Sequence, residues 1–145
     1  MKPTKQKMVK VLRAGKSKLW NRYRQMNRSS ANGFFNANLA GANLISADLS
    51  GEDLFNTYLY DAKNVLQFGP MSKSGRLVYA VNHGDKIMIL AGCFWGTTIE
   101  LRTRVKDDAE RFDYILLCDY VEKAFSQKTG GSKKKMTTEI KTKLC

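Results

Sequence analysis

Few side chains in this 145-residue chain could do covalent chemistry: it has three cysteines and one histidine. Cys93, Cys118 and Cys145 are odd in number, widely spaced and without a histidine cluster, so they read as reduced thiols, neither a disulfide framework nor a zinc site. His83 stands alone, which argues against a histidine-based metal centre or a Ser-His-Asp relay. No Gly-x-x-x-x-Gly-Lys phosphate loop occurs. Asp107, Asp108 and Glu110 lie beside Arg102, Arg104, Lys106 and Arg111, where pairing along a helix surface accounts for them. By subtraction the expectation is a non-enzymatic protein with no cofactor and no metal.

The other chemistry available is electrostatic. The chain has 25 Lys and Arg against 13 Asp and Glu, a net charge of +12. Residues 1–28 hold ten bases and no acid, residues 29–62 four acids and no base, and residues 63–145 fifteen bases against nine acids. Such polarity suggests an arm and a body. Lys10, Arg13, Lys16, Lys18, Arg22, Arg24 and Arg28 of the arm, with Lys133, Lys134 and Lys135 near the other end, are the candidate contacts to an anionic macromolecule, a nucleic acid or a host or defence protein complex. A run of 18 apolar residues is absent, and the lysine-studded start lacks the apolar core of a signal peptide, so no membrane role and a cytoplasmic location are expected. With 43% apolar residues the chain can build a core.

What must position these groups is a repeat. A large apolar residue recurs every five positions at Phe34, Leu39, Leu44, Leu49, Leu54 and Leu59. Ala37, Ala42 and Ala47 keep phase two residues earlier, and Asn38, Asn43, Asp48 and Asp53 directly before the leucines. A period of five suits neither a helix nor a strand. It suits a coil that turns a corner every five residues, with leucine inward and Asn or Asp bonding nearby backbone at the corners. Each buried leucine contributes about 1.5–3 kcal/mol before entropy is subtracted. Gly33, Gly41 and Gly51, with the many Ser and Asn residues, argue against an amphipathic helix.

Residues 32–63 resemble the pentapeptide repeat family, and the resemblance implies a right-handed quadrilateral β-helix with four pentapeptides per coil. Six repeats give about one and a half coils, whose ends need caps. Upstream, Leu19, Trp20, Tyr23 and Met26 share a helical stripe within residues 16–28. Leu19-Trp20-Asn21-Arg22-Tyr23-Arg24 is similar to the Trp-Asn-x-aromatic-Arg helix that precedes the repeats in many bacterial and phage pentapeptide proteins and caps the first coil. Residues 1–15, with Pro3 and Gly15, are expected to stay flexible until bound, and Trp20 and Tyr23 to be core rather than a base-stacking pair.

Downstream, Arg76–Val81 and Lys86–Ala91 read as a hairpin around His83-Gly84-Asp85. A helix capped by Thr97 or Thr98 should run towards Asp107, and another from Ala109 to Phe125. Ala91-Gly92-Cys93-Phe94-Trp95-Gly96-Thr97 resembles a string in the short domain that tailed-phage proteins join to pentapeptide repeats. The expected fold is therefore α+β: basic arm and capping helix (1–28), repeat β-helix (29–66), a β-β-α-α domain (67–126) and a basic flexible tail (127–145).

Gly92-Cys93-Phe94-Trp95-Gly96 also looks like the active-site motif of A-type peptide methionine sulfoxide reductases, where the cysteine starts a helix whose dipole lowers its pKa. That resemblance would make Cys145 a resolving thiol. Three departures weigh against it: Thr98 replaces the family's acidic residue, the downstream Gly-Tyr-x-Gly-Gly segment is absent, and only 52 residues follow Cys93. The preferred reading is a buried structural Cys93 with Phe94 and Trp95 in the core. The functional expectation is a phage-type accessory protein that binds, and inhibits or redirects, a host or defence macromolecule in the host bacterial cytoplasm. Its rivals are a DNA-mimic-like inhibitor of DNA gyrase or another DNA-binding protein, and a self-associating solenoid that dimerises through open coil ends.

Overall fold

The computed structural model describes residues 4–26, 37–52, 54 and 56–126. Phe34, Asp53, Arg28, Lys133, Lys134, Lys135 and Cys145 lie outside these residues, as does the side chain of Met26. The chain is α+β. It runs α1 (Lys5–Arg13), α2 (Ser17–Met26), a turning segment over residues 37–64, β1 (Val65–Phe68), β2 (Val78–Asn82), β3 (Ile87–Ala91), β4 (Phe94–Thr97), α3 (Thr98–Val105) and α4 (Phe112–Ser126). A single 3-10 turn, Ala109–Arg111, leads into α4.

The five-residue period is written into the backbone of the turning segment. The carbonyls of Leu39, Leu44, Leu49, Leu54 and Leu59 each accept from the amide three residues on, at 3.0–3.1 Å. The third residue of every turn, Gly41, Ser46, Gly51, Asn56 and Asp61, has φ between +57° and +72°. That is the signature of a type II turn, which needs a left-handed residue in third place. Asn38, Asn43 and Asp48 take a different part in the corner: their side-chain oxygens accept from the amides of Ala40, Ile45 and Ser50 at 3.0–3.1 Å. The corner therefore needs two special residues, and Gly, Asn or Asp serves in the second at four of five turns.

Two parallel bridges, Asn38 with Tyr58 and Asn43 with Lys63, join parts of this segment 20 residues apart, an offset of four pentapeptides. These are isolated bridges, and residues 37–64 contain no continuous strand among the described residues. Leu39, Leu44, Leu49 and Leu54 are buried together with Ala37, Ala42 and Ala47. Leu59, expected inward like the others, is only partly buried at the margin of that core.

The expected two-stranded hairpin is the middle of a four-stranded antiparallel sheet in the order β1-β2-β3-β4. β1 and β4 escaped the sequence reading because each has four residues and neither shows a two-residue alternation. The division placed between residues 66 and 67 falls inside β1. In β2, Tyr79 and Val81 face the leucine core, while Val78 and Ala80 face a second core with Leu101, Val105, Tyr114, Leu117, Cys118 and Val121 of the two C-terminal helices. The sheet is thus a wall between two cores, which explains why β2 and β3 read as unbroken apolar runs.

Residues 5–13, expected to be flexible, form a helix. Thr4 caps it by accepting from the Lys7 amide at 3.2 Å, and Val11 and Leu12 are buried in the leucine core. Thr97, rather than Thr98, caps α3 in a reciprocal box with Glu100. Leu44→Ala is expected to cost about 2–5 kcal/mol in urea unfolding, as for a fully buried leucine, whereas the half-exposed neighbour Ile45→Ala costs about 1 kcal/mol or less.

Candidate functional site

The basic arm is built from the inside out. Spacing in α1 and α2 sends Leu12 and Trp20 inward, where they are 0% and 1% exposed, and fixes the helical hairpin against the repeat. Gly15, at φ +74°, makes the reversal between the helices. Lys7, Lys10, Arg13, Lys16, Lys18 and Arg22 are all exposed. None of the six has a carboxylate within ion-pair distance among the described residues.

Arg24, predicted to belong with these, does something else. Its guanidinium pairs with Glu52, donates to the Ser50 carbonyl and lies 5.5 Å from the centre of the Trp20 ring. Trp20 Nε1 donates to the Asp48 carbonyl (2.8 Å). Asn21 Nδ2 donates to the Ser46 carbonyl (2.9 Å), and Asn21 Oδ1 accepts from the Asp48 amide (2.8 Å). The Trp20-Asn21-x-x-Arg24 string is therefore a clasp on alternate carbonyls of residues 46, 48 and 50, leaving Arg22 to point outward.

The opposite flank of the repeat is held by β2 and its turn. Tyr79 Oη donates to the Leu54 carbonyl (3.1 Å). Asn82 Nδ2 donates to Asn64 Oδ1 (3.1 Å), and Asn64 Nδ2 to Asn43 Oδ1 (2.7 Å), a ladder of amides from sheet to coil. His83 Nε2 lies 2.9 Å from the Ala47 carbonyl, a contact that makes the neutral ring a donor there. Burial lowers its pKa below the ordinary 6.5, against the Ala47 carbonyl, which favours the charged ring.

No family model matches the chain, and neither a curated protein nor a solved structure does.

Cys93 is a correction to the sequence reading. It is exposed, in the two-residue turn between β3 and β4 where Ala91 pairs with Phe94, and Phe94 and Trp95 are half-buried on β4. The reductase reading needs a cysteine at the start of a helix, but α3 begins at Thr98, after the whole of β4. Cys118 is the inaccessible thiol: it is fully buried and burial pushes its pKa up to about 11. The charge pairs also differ from those expected along one helix. Arg102 of α3 reaches Asp119 (2.7 Å) and Glu122 (2.6 Å) of α4, and Lys73 bridges Asp108 and Glu110 at 3.1 Å each. Among the described residues only Arg111 and Asp108 (3.2 Å) form a local i, i+3 pair.

Two outcomes follow for the clasp and its counterpart. Arg24→Ala removes the pair with Glu52 and the bond to the Ser50 carbonyl and is expected to lower stability by about 1–3 kcal/mol, while Arg22→Ala changes it by about 0.5 kcal/mol or less in urea unfolding. Because His83 is the single histidine, its imidazole proton resonances titrate in isolation, with a midpoint expected below 6.5. The unfolded chain takes up that proton first as pH falls. The stability the neutral ring contributes is therefore complete above pH 6.5 and lost as pH falls through the lower folded value, and His83→Gln should remove that slope from the pH dependence of unfolding.

Proposed function

We propose that the protein is a small phage-type accessory protein of the pentapeptide kind, without enzymatic activity, that binds a nucleic acid or nucleoprotein target through its basic arm. The observation that carries this reading is the set of six exposed, unpaired bases on a helical hairpin whose apolar faces are anchored in the core. A cation left without a carboxylate on a rigid support is pre-organised for phosphate, since no partner must be displaced and little chain entropy is lost. A right-handed quadrilateral β-helix of about one and a half coils accounts for the 20-residue offset of the bridges, four sides of five residues to a circuit. In this reading the coil is a spacer and scaffold, and Trp20-Asn21-x-x-Arg24 caps it.

The DNA-mimic alternative asks for an acidic coil surface. Of the three described repeat acids, Glu52 is paired with Arg24, which leaves Asp48 and Asp61, too few charges to imitate the phosphates of a duplex. No described helix is long and apolar enough to cross a membrane, which accords with the host bacterial cytoplasm as the place of action.

Fluorescence anisotropy with a labelled DNA duplex tests the reading. If all six bases meet phosphates, affinity falls by about a thousandfold between about 50 and 200 mM salt, and each base replaced by glutamine lowers the salt slope by about 0.9. Lys10→Gln, Arg13→Gln and Lys18→Gln together should therefore reduce the slope by about 2.7 while leaving the urea midpoint unchanged. Binding that ignores salt, or a triple variant that binds as well as the native chain, would overturn it.

A further inference from the structure

On the face of the sheet away from the arm, the tip of the β3–β4 hairpin, the loop before β2 and the C-terminal helices border an open-mouthed cavity of ≈ 330 Å³. Three guanidinium groups line it: Arg76, Arg104 and Arg111. Arg104 lies 5.5 Å from the centre of the Phe94 ring and Arg111 6.0 Å from that of Tyr114, so the cations sit against aromatic walls. Arg76 lies over Gly92, where a Cβ would come 2.8 Å from its Cζ. Gly92 has φ +62°, and that left-handed dihedral is what calls for glycine at the hairpin tip.

The charge in the cavity is not balanced from within. Asp108 is its one carboxylate and is held by Arg111 (3.2 Å) and by Lys73 (3.1 Å) from outside. Arg76 and Arg104 have no carboxylate within ion-pair distance among the described residues. Buried Leu101 and Val105 complete the floor. Unpaired guanidinium groups over low-dielectric walls concentrate anions, and their planar forks match the two oxygens of a carboxylate or phosphate. The volume lies at the small end of ligand cavities and suits a compact molecule, not a polymer.

We propose that this cavity binds a small organic oxyanion, a carboxylate or phosphate monoester held by Arg76 and Arg104 with its apolar part against Phe94. The site is independent of the nucleic-acid reading, because the sheet separates it from the arm and the two share no residue. Cys93, exposed on the cavity wall, supplies a reporter.

The test follows disulfide exchange at Cys93 in the full chain carrying Cys145→Ser, Cys118 being buried. The Cys93 thiolate attacks one reagent sulfur, forms a mixed disulfide and releases the coloured thiolate of the other half. Two reagents are compared: dianionic dithiobis(nitrobenzoate) and neutral dithiodipyridine. Arg104→Gln, or Arg76→Gln should the first variant unfold, is expected to slow the dianionic reagent by about fivefold relative to the neutral one, the scale of one exposed ion pair. The neutral reagent accounts for any change in the thiol itself. At constant ionic strength, inorganic phosphate or benzoate should slow the dianionic reagent saturably; slowing by phosphate alone assigns a phosphate monoester, and by benzoate alone a carboxylate. A rate ratio unchanged by both substitutions, or no saturable slowing by either anion, would overturn the site.

Discussion

A turning segment as short as residues 37–64 has almost as much edge as interior, and the backbone carbonyls along that edge must be satisfied from outside it. Here α2 does it with three side chains at sequence positions 20, 21 and 24, which meet the carbonyls of residues 46, 48 and 50. The match is geometric. Positions 20 and 24 stack on one face of the helix, and position 21 lies beside them about a third of a turn away, so together they cover the three carbonyls. Without this clasp the leucine column would be open to water at one end, and the arm would have nothing rigid to stand on.

The other end of the problem is solved by a sheet. β1 continues directly from the turning segment, and Asn82 at the end of β2 pairs with it: the Ser46 amide donates to the Asn82 carbonyl and the Asn82 amide to that of Asn64, at 2.9 Å each. The same strands that close the coil also face the two C-terminal helices. A sheet buried on both faces cannot show polar alternation, and it ties the two halves into shared packing rather than leaving two beads on a linker. The cost of this economy is that a single strand residue, such as Tyr79, serves one core by its ring and the coil backbone by its hydroxyl.

The parts legible in the sequence were those with a period. Leucine at every fifth residue announced a corner-turning chain with an apolar interior, and Trp20 and Thr97 announced a docked helix and a helix start. What stayed hidden depends on neighbours that sequence does not place side by side. Arg24 looks like Arg22 until Glu52 is brought beneath it, 28 residues away. Cys93 looked buried because it stands between an apolar strand and two aromatics, yet a two-residue turn carries it outward. A signal for the turns was available and missed: Gly41, Gly51, Asn56 and Asp61 recur with the same period as the leucines, and all are residues that tolerate a left-handed backbone.

The distribution of paired and unpaired charge separates scaffold from surface more sharply than total charge does. Arg24, Arg102, Arg111 and Lys73 all meet carboxylates and join elements distant in sequence or fix a turn. The six bases of the arm, with Arg76 and Arg104 around the cavity, meet none among the described residues. Unpaired cations close together repel one another, so the grouping of six on the arm and of Arg76 with Arg104 at the cavity works against the fold wherever no anion is bound. On the arm they are spread over an open helical surface, which suits a polyanion. Around the cavity they converge on a volume too small for one, which suits a single anionic group.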